Sequence, residues 1–177
     1  NFNFEVGAGE TFETPEVALV FSNNGFADMS NNFHRAIRNN LCRGKFKNAR
    51  RPVLINNWEA TYFDFNADKL VSMAKDAAAI GVELLVMDDG WFGDKYPRDE
   101  DDSSLGDWMV CKEKLPEGIG GLIASAKKHN IKFGIWIEPE SSNTKSELFE
   151  NKPKWILRVD NRPVSTGRGG TQVILDL

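Results

Sequence analysis

From Pro52 onward, short apolar strands alternate with helices, and this alternation constrains the fold more than any other feature. The predicted strands are VLINNWE, VELLVMDD, IKFGIWIEPE and QVILDL. The helical patterns between them are NADKLVSMAKDAAAIG, GIGGLIASAKKHN and TKSELFENKPKW. Strands that are apolar at nearly every residue are typical of a parallel sheet covered by helices on both faces. The order therefore predicts β-α-β-α-β-α-β with right-handed crossovers.

Two α/β architectures fit this order, a (β/α)8 TIM barrel and an open doubly wound sheet. No G-x-G-x-x-G motif follows the first strand, so the dinucleotide-binding form of the open sheet is unsupported. Candidate functional residues instead stand at the ends of several strands: Trp58, Asp88, Asp89, Trp136 and Glu138. A barrel distributes its active site in this way. We therefore expect the first four β/α units of a (β/α)8 TIM barrel, over residues 52–177.

The residues before Pro52 follow a different pattern. Residues 2–22 alternate in polarity and carry Gly and Pro, so residues 1–24 are predicted to be the end of an N-terminal β-sandwich domain. Residues 25–51 predict a linker helix and a connection, with Ser30 as the cap of the helix. Apolar residues recur every four positions along that helix, at Met29, Phe33, Ile37 and Leu41. The chain lacks an initiating Met and ends in a predicted strand, so we expect a segment of a longer protein.

Composition narrows the classes of partner. A count of 22 Lys and Arg against 26 Asp and Glu gives a net charge of −4, which does not favour nucleic acid or an anionic membrane. No apolar run is long enough to span a bilayer, and no signal peptide is evident. Only His34 and His129 are present, so we expect no metal site. Cys42 and Cys111 are far apart, which favours free thiols in a reducing compartment.

Adjacent carboxylates at Asp88 and Asp89 end the second strand, in LLVMDDGWFG. Each carboxylate can accept hydrogen bonds from neighbouring hydroxyl groups, as a sugar presents them. A helix cap or a charged pair in a loop explains the two residues equally well. A metal site is a third reading, but the sequence shows no further ligand nearby.

Aromatic residues share the strand ends with these carboxylates. Trp58 lies in NNWEATYFDF, and Trp136 lies in GIWIEP. Most buried tryptophans belong to a core, yet an indole also stacks on the apolar face of a sugar ring, and its N–H reaches a hydroxyl. Carboxylates and indoles around one cavity favour a saccharide pocket over a nucleotide or metal pocket.

Three further charged residues are candidates. Glu138 and Glu140 are possible acid/base groups, because a retaining glycosidase needs two carboxyl groups around one bond, and Asp89 with Glu138 is the simplest pair. An ion-paired, structural carboxylate is the alternative. Arg168 lies on a loop rich in glycine, where most arginines are solvated. The run RDEDDSS at 98–104 is interpreted as a solvated loop.

Together, RPVLINNWEATYFDF, LLVMDDGWFG, SSLGDW and FGIWIEPE resemble the α-galactosidases of glycoside hydrolase family 36. The upstream FSNNGFADMSNNFHRAIRNNL resembles the passage from that family's β-sandwich into its barrel. The resemblance implies a retaining enzyme without a cofactor that acts on terminal α-D-galactosyl groups, as in melibiose and raffinose-type oligosaccharides.

The resemblance also assigns roles to single residues. Asp88 and Asp89 look like the pair that holds the galactose hydroxyls on the O4/O6 side. Trp58 and Trp136 look like pocket walls that recognise galactose. Arg168 matches an arginine that contacts the substrate, and this replaces its interpretation as a solvated residue.

The catalytic carboxylates of the family are expected beyond Leu177. The nucleophile belongs to a K-W-D motif, whereas PKWILR has Ile156 at the position of the aspartate. The resemblance gives Glu138 and Glu140 supporting roles only. We therefore expect this chain alone to be inactive. Two departures from the family pattern are Ser141, where Met is usual, and a longer loop before SSLGDW.

The resemblance further implies a bacterial, cytoplasmic enzyme of raffinose catabolism that forms homodimers or homotetramers. Its expected partner is an α-galactoside oligosaccharide. A galactosyltransferase similar to raffinose synthase and a non-catalytic carbohydrate-binding protein are the alternatives.

Overall fold

The chain divides into two units, and the boundary lies between Arg51 and Pro52. The computed structural model describes residues 4–176. In the first unit these include one helix, α1 (Phe26–Ala36), which continues into a π-helical turn (Ile37–Leu41). Residues 4–24 carry no strand, although strands are predicted there, and residues 1–3 lie outside the described residues. A strand needs a neighbour for its backbone groups, and this unit supplies none among its described residues.

Helix α1 begins four residues before the predicted cap. Gly25 precedes its first turn with a φ of 87°, a conformation that favours glycine, and no side chain caps the helix. Ser30 therefore lies inside the helix, and its prediction as a cap is wrong. The predicted apolar stripe is present but not buried: Ile37 is 44% exposed and Leu41 is 67% exposed.

In the second unit, three strands form the parallel sheet that the sequence predicts. They are β1 (Leu54–Asn56), β2 (Leu84–Met87) and β3 (Lys132–Ile135), in the order β1-β2-β3. Leu84 of the central strand pairs with Leu54 on one side and with Lys132 on the other. Because all three strands run in the same direction, their carboxyl ends share one edge of the sheet.

Two longer helices connect these strands as predicted, whereas a short helix after β1 takes up Trp58 and Glu59 of the predicted strand VLINNWE. The short helix is α2 (Trp58–Thr61), and α3 (Ala67–Ala79) leads into β2. Helix α4 (Gly118–Lys128) lies between β2 and β3. The side chain of Asn66 caps α3 by accepting from the backbone N–H of Lys69 at 3.0 Å. Two buried clusters pack around the sheet: Phe65, Leu70, Met87, Trp91, Phe92, Leu105, Leu115 and Leu122, and Ala74, Ala77, Leu85, Ala126 and Ile131.

The predicted fourth parallel strand is wrong for the described residues. Strand β5 (Gln172–Ile174) pairs antiparallel with β4 (Ser141–Asn143) instead. The helix between them, α5 (Glu147–Asn151), has five residues and so spans only about 7.5 Å. The 36 residues between β3 and β5 exceed the dozen or so that a parallel crossover needs, but only these five form an α-helix that could return along the sheet. The last residue of the predicted strand, Leu177, lies outside the described residues.

Two short 3-10 turns complete this part of the chain, Pro153–Trp155 and Arg168–Gly170. Ile156, the residue after the Lys-Trp pair of PKWILR, is 2% exposed and forms a bridge with Leu175. The position is therefore a core position. Within residues 4–176, no helix has the length and apolar character needed to cross a membrane.

Candidate functional site

Asp88 follows the last residue of β2, and residues at the end of β1 hold it in place. The side-chain amide of Asn56 donates to a carboxylate oxygen of Asp88. The backbone N–H of Asp88 donates to the side-chain oxygen of Asn57 at 2.7 Å, and Asn57 is fully buried. Asp88 itself is half-buried. One oxygen of its carboxylate accepts from Asn56, the other accepts from the backbone N–H of Asp89 at 2.8 Å, and the side chain stays partly exposed.

Asp89 is buried in an ion pair with Arg98. The guanidinium donates from Nε to Oδ1 of Asp89 at 3.0 Å and from Nη2 to Oδ2 at 2.7 Å. Asp89 is 3% exposed and Arg98 is 2% exposed. This bidentate geometry is the strong form of a carboxylate–guanidinium contact. Each oxygen of Asp89 retains one lone pair for a further donor.

The interpretation of residues 98–104 as a solvated loop is wrong. Arg98, Ser103 and Ser104 are buried, whereas Glu100 is exposed, and the exposed Asp99 forms an ion pair with Lys114 at 2.8 Å. A buried carboxylate needs a compensating cation, and the single arginine of the run supplies it. A search of the sequence for a cation near the carboxylate pair at the end of β2 could therefore have found Arg98.

Arg168 is joined to this ion pair through Asp101. Arg98 Nη2 lies 3.3 Å from Asp101 Oδ1, and Arg168 Nη1 lies 3.4 Å from the same oxygen. Arg168 is largely exposed, on the turn before β5. The structure thus links two residues with predicted roles, Asp89 and Arg168, through two that the sequence analysis did not select.

Trp58 lies at the carboxyl end of β1 and begins α2. Its backbone N–H donates to the side-chain oxygen of Asn56 at 2.7 Å. Asn56 therefore contacts both Trp58 and Asp88, with opposite ends of one amide group. The half-buried indole meets the rings of Tyr62 and Phe63 edge-on, at centroid distances of 5.2 and 5.0 Å.

Trp136 lies directly after β3. Its backbone N–H donates to the carbonyl of Met87 at 2.9 Å, and its own carbonyl accepts from Nε1 of Trp91 at 3.0 Å. The half-buried ring of Trp136 meets Trp108 at a centroid distance of 6.2 Å, and Trp108 stacks on Trp91 at 6.0 Å. Trp91 and Phe92 are buried, so they pack beneath the strand ends.

The two glutamates have other partners. The carboxylate of Glu138 accepts from the side-chain amide of Gln172, which also donates to the hydroxyl of Ser141 at 3.1 Å. Glu140 is exposed, and its carbonyl accepts from the backbone N–H of Leu175. Neither forms an ion pair with Arg98 or Arg168. Their supporting roles stay a prediction.

The loop of residues 94–107, here called the 94–107 loop, is anchored to α5. Lys95 forms an ion pair with Glu150 at 2.6 Å, and the Tyr96 hydroxyl donates to the same carboxylate. The bond from Lys95 lowers the pKa of Glu150, and Glu150 raises the pKa of Lys95. Asp107 at the other end of the loop accepts from two backbone N–H groups at the start of α5, at 2.8 and 2.9 Å.

The described residues contain neither a disulfide nor a cluster of metal ligands that would contribute to this edge of the sheet. Cys111 is buried and Cys42 is partly buried, and both are free thiols. Among residues 4–176, no group of three or more His, Cys, Asp or Glu side chains is arranged to hold a metal ion.

The parallel sheet with helical crossovers carries its carboxylates and indoles at the carboxyl edge, where β/α barrel enzymes have their active sites. The family model for Melibiase matches residues 11–177. Alpha-galactosidase AgaA of Geobacillus stearothermophilus is 49% identical over 99% of this chain. Alpha-galactosidase 1 of Pediococcus pentosaceus is 45% identical over all of it. The chain belongs to the Melibiase family.

Solved structures agree with this assignment. A GH36 alpha-galactosidase AgaA variant from Geobacillus stearothermophilus, in complex with 1-deoxygalactonojirimycin, matches with a TM-score of 0.81 and 48% identity. That match covers 89% of this chain and 21% of the other. A second AgaA variant, in complex with raffinose, matches with a TM-score of 0.78 over 84% of this chain and 20% of the other. The chain spans about a quarter of its curated relatives, 24% in the case of AgaA.

Proposed function

We propose that the protein to which this chain belongs is a retaining α-galactosidase that hydrolyses terminal non-reducing α-D-galactosyl residues. The identity of 49% to AgaA over 99% of the chain is the observation that carries this proposal. AgaA variants have been solved in complex with raffinose and with stachyose, which supports raffinose-type oligosaccharides as substrates. A role in raffinose catabolism follows from that choice of substrate.

The accessible carboxylate of Asp88 is the first candidate for the galactose hydroxyls on the O4/O6 side. Asp89 accepts a second hydroxyl with the lone pairs that Arg98 leaves unused. The indoles of Trp58 and Trp136 form the apolar walls, and Arg168 contacts the substrate from the turn before β5. The positions of these residues in the fold support the roles. Asp88, Asp89, Trp58 and Trp136 all follow the carboxyl ends of β1, β2 and β3.

The proposal extends to the organisation of the whole protein. The three parallel strands are the first strands of a (β/α)8 barrel, and residues 1–24 and 25–51 are the end of a β-sandwich and its linker. The nucleophile and the acid/base aspartate lie on later strands, since the chain spans about a quarter of its relatives. We place the enzyme in the bacterial cytoplasm as a homodimer or homotetramer that binds neither nucleic acid nor membrane.

Activity of the full-length protein tests this function. Release of nitrophenol from p-nitrophenyl α-galactoside is expected. We expect kcat/KM to be at least about tenfold lower on the β-galactoside, which differs in anomeric configuration, and on the α-glucoside, which differs in the orientation of O4. A preference for either of those substrates would refute the specificity. Galactosyl transfer to sucrose as the main reaction would favour the transferase instead.

A further inference from the structure

Two charged side chains of the 94–107 loop join Asp89 to Arg168. Arg98 holds both oxygens of Asp89, at 3.0 and 2.7 Å. Asp101 lies between the two arginines and offers one oxygen to both, at 3.3 and 3.4 Å. The charges alternate along the series Asp89, Arg98, Asp101, Arg168, so each contact is attractive.

The orientation of Arg98 is fixed independently of Asp89. Its Nη1 donates to the carbonyl of Ser103 at 2.8 Å and to the side-chain oxygen of Asn143 at 3.1 Å. Asn143 is fully buried, and its amide nitrogen donates to the carbonyl of Asp101 at 3.1 Å. A guanidinium is a rigid planar fork, so its orientation determines the plane of the carboxylate that it binds.

Arg168 is oriented by Asp101. Among residues 4–176, Asp101 is the one side chain with which Arg168 forms an ion pair. Gly169 and Gly170 follow Arg168 with φ angles of 62° and 70°, so the backbone there lacks the restriction that a β-carbon imposes. The ion pair is therefore the contact that selects a direction for this largely exposed arginine.

We propose that Arg98 and Asp101 are positioning residues that couple Asp89 to Arg168 in the sugar site. Arg98 fixes the orientation of the Asp89 carboxylate, and Asp101 fixes the orientation of the Arg168 guanidinium. The bond between Arg98 and Asp101 makes these two orientations depend on each other. Neither positioning residue needs to touch the sugar. This inference rests on the sugar-binding roles proposed above for Asp89 and Arg168.

Kinetics of Asp101→Asn in the full-length protein test the coupling, with Asp102→Asn as the matched control. Asp102 forms no hydrogen bond or ion pair with the described residues. The control therefore removes the same charge from the loop as Asp101→Asn does, but breaks no such contact. Because Asp101 is partly exposed, we expect KM on p-nitrophenyl α-galactoside to rise about three- to tenfold, with kcat within about twofold. Asp102→Asn is expected to change KM less than about twofold. Equal effects of the two substitutions overturn the proposal.

A double-mutant cycle separates positioning from a general effect on the loop. In an Arg168→Ala background, Asp101→Asn is expected to raise KM by less than about twofold, because Arg168 is already absent and Arg98 stays held by Asp89, Ser103 and Asn143. A full three- to tenfold rise in that background overturns the proposal. All variants are compared at a temperature at which circular dichroism shows them folded.

A failure of the proposed function gives a different result. If the wild-type protein cleaves another nitrophenyl glycoside instead, the α-galactoside assignment is wrong, and the same KM ratios on that glycoside decide the coupling. If it cleaves none, the free energies of unfolding of Asp101→Asn, Arg168→Ala and the double variant decide it. Additive values then overturn the coupling.

Discussion

Asp88 and Asp89 are neighbours in the sequence, but their surroundings predict different consequences of mutation. Asn replaces a charged acceptor by a neutral amide, so either substitution weakens contacts that tighten toward the transition state. We expect each to raise KM and lower kcat in the full-length protein, with kcat/KM reduced about tenfold or more. Steady-state kinetics on p-nitrophenyl α-galactoside measure this. An unchanged kcat/KM in Asp89→Asn would remove that residue from the site.

Stability distinguishes the same two variants. Asp89→Asn leaves the buried guanidinium of Arg98 without its full counter-charge, whereas Asp88 has no such partner. We expect a larger loss in the free energy of unfolding for Asp89→Asn than for Asp88→Asn, measured by urea denaturation. Equal losses would show that the ion pair is not needed for folding.

Arg98→Ala isolates the buried ion pair from the other side. Removing Arg98 leaves the buried carboxylate of Asp89 without a counter-charge. We therefore expect the free energy of unfolding to fall by about 3–5 kcal/mol. Arg168→Ala is the control, because an exposed ion pair contributes about 1 kcal/mol or less. A loss below about 1 kcal/mol for Arg98→Ala would contradict the stabilising role. Urea denaturation of the full-length variants measures both.

The sequence could locate Asp88, Asp89, Trp58 and Trp136 at strand ends, because an apolar run that stops at a polar residue marks such an end. Their roles with a sugar stay predictions. The partners of these residues were not predictable in the same way. Arg98 and Asn143 lie 45 residues apart, and their contact depends on a loop whose path no periodic pattern encodes. The burial of Arg98 follows from that path.

At the scale of elements, the sequence predicts the three parallel strands and the two longer crossover helices well, since the strands are apolar at nearly every residue and each of these helices has a periodic apolar face. It misplaces β5. Its apolar pattern is that of a buried strand, but the pattern does not state the partner or the direction of pairing. The short helix α5 and the polar residues of β4 decide that pairing in the structure.

The anchor between the 94–107 loop and α5 predicts a dependence on pH. The pKa of Glu150 is lower in the folded protein than its ordinary value of 4.5, chiefly through the bond from Lys95. Its stabilisation is therefore complete above the ordinary value and is lost as the pH falls through the lowered pKa. We expect the difference in Tm between wild type and Glu150→Gln to be constant above about pH 6 and to shrink below pH 4.5.

Glu147→Gln provides the control for that anchor. Glu147 also belongs to α5, but its side chain forms no hydrogen bond or ion pair with the described residues. Its Tm difference from wild type is expected to be small and to stay so across the same pH range. A matching pH dependence in both variants would show that Glu150 acts through general charge and not through Lys95.

For the molecule as a whole, the parallel sheet has two open edges among the described residues, one on β1 and one on β3. Apolar side chains beside these edges are exposed, including Val53, Leu54 and Ile137 at 51–54%. Unpaired backbone groups next to apolar surface favour association with another chain. We expect residues 52–177, expressed alone, to form oligomers or aggregates in size-exclusion chromatography with light scattering. A monomer that melts cooperatively would contradict this expectation.

The π-helical turn after α1 has a consequence for comparing sequences within the family. The backbone N–H of Cys42 bonds to the carbonyl of Ile37, which encloses one residue more than an α-helical bond. A relative with an uninterrupted α-helix here would lack one residue between positions 37 and 41. An alignment gap inside this helix would then be structurally correct. Because the helix ends at Leu41 and Cys42 is already extended, moving the gap into the following loop would misplace only the residues of this last turn, by about 100° around the axis.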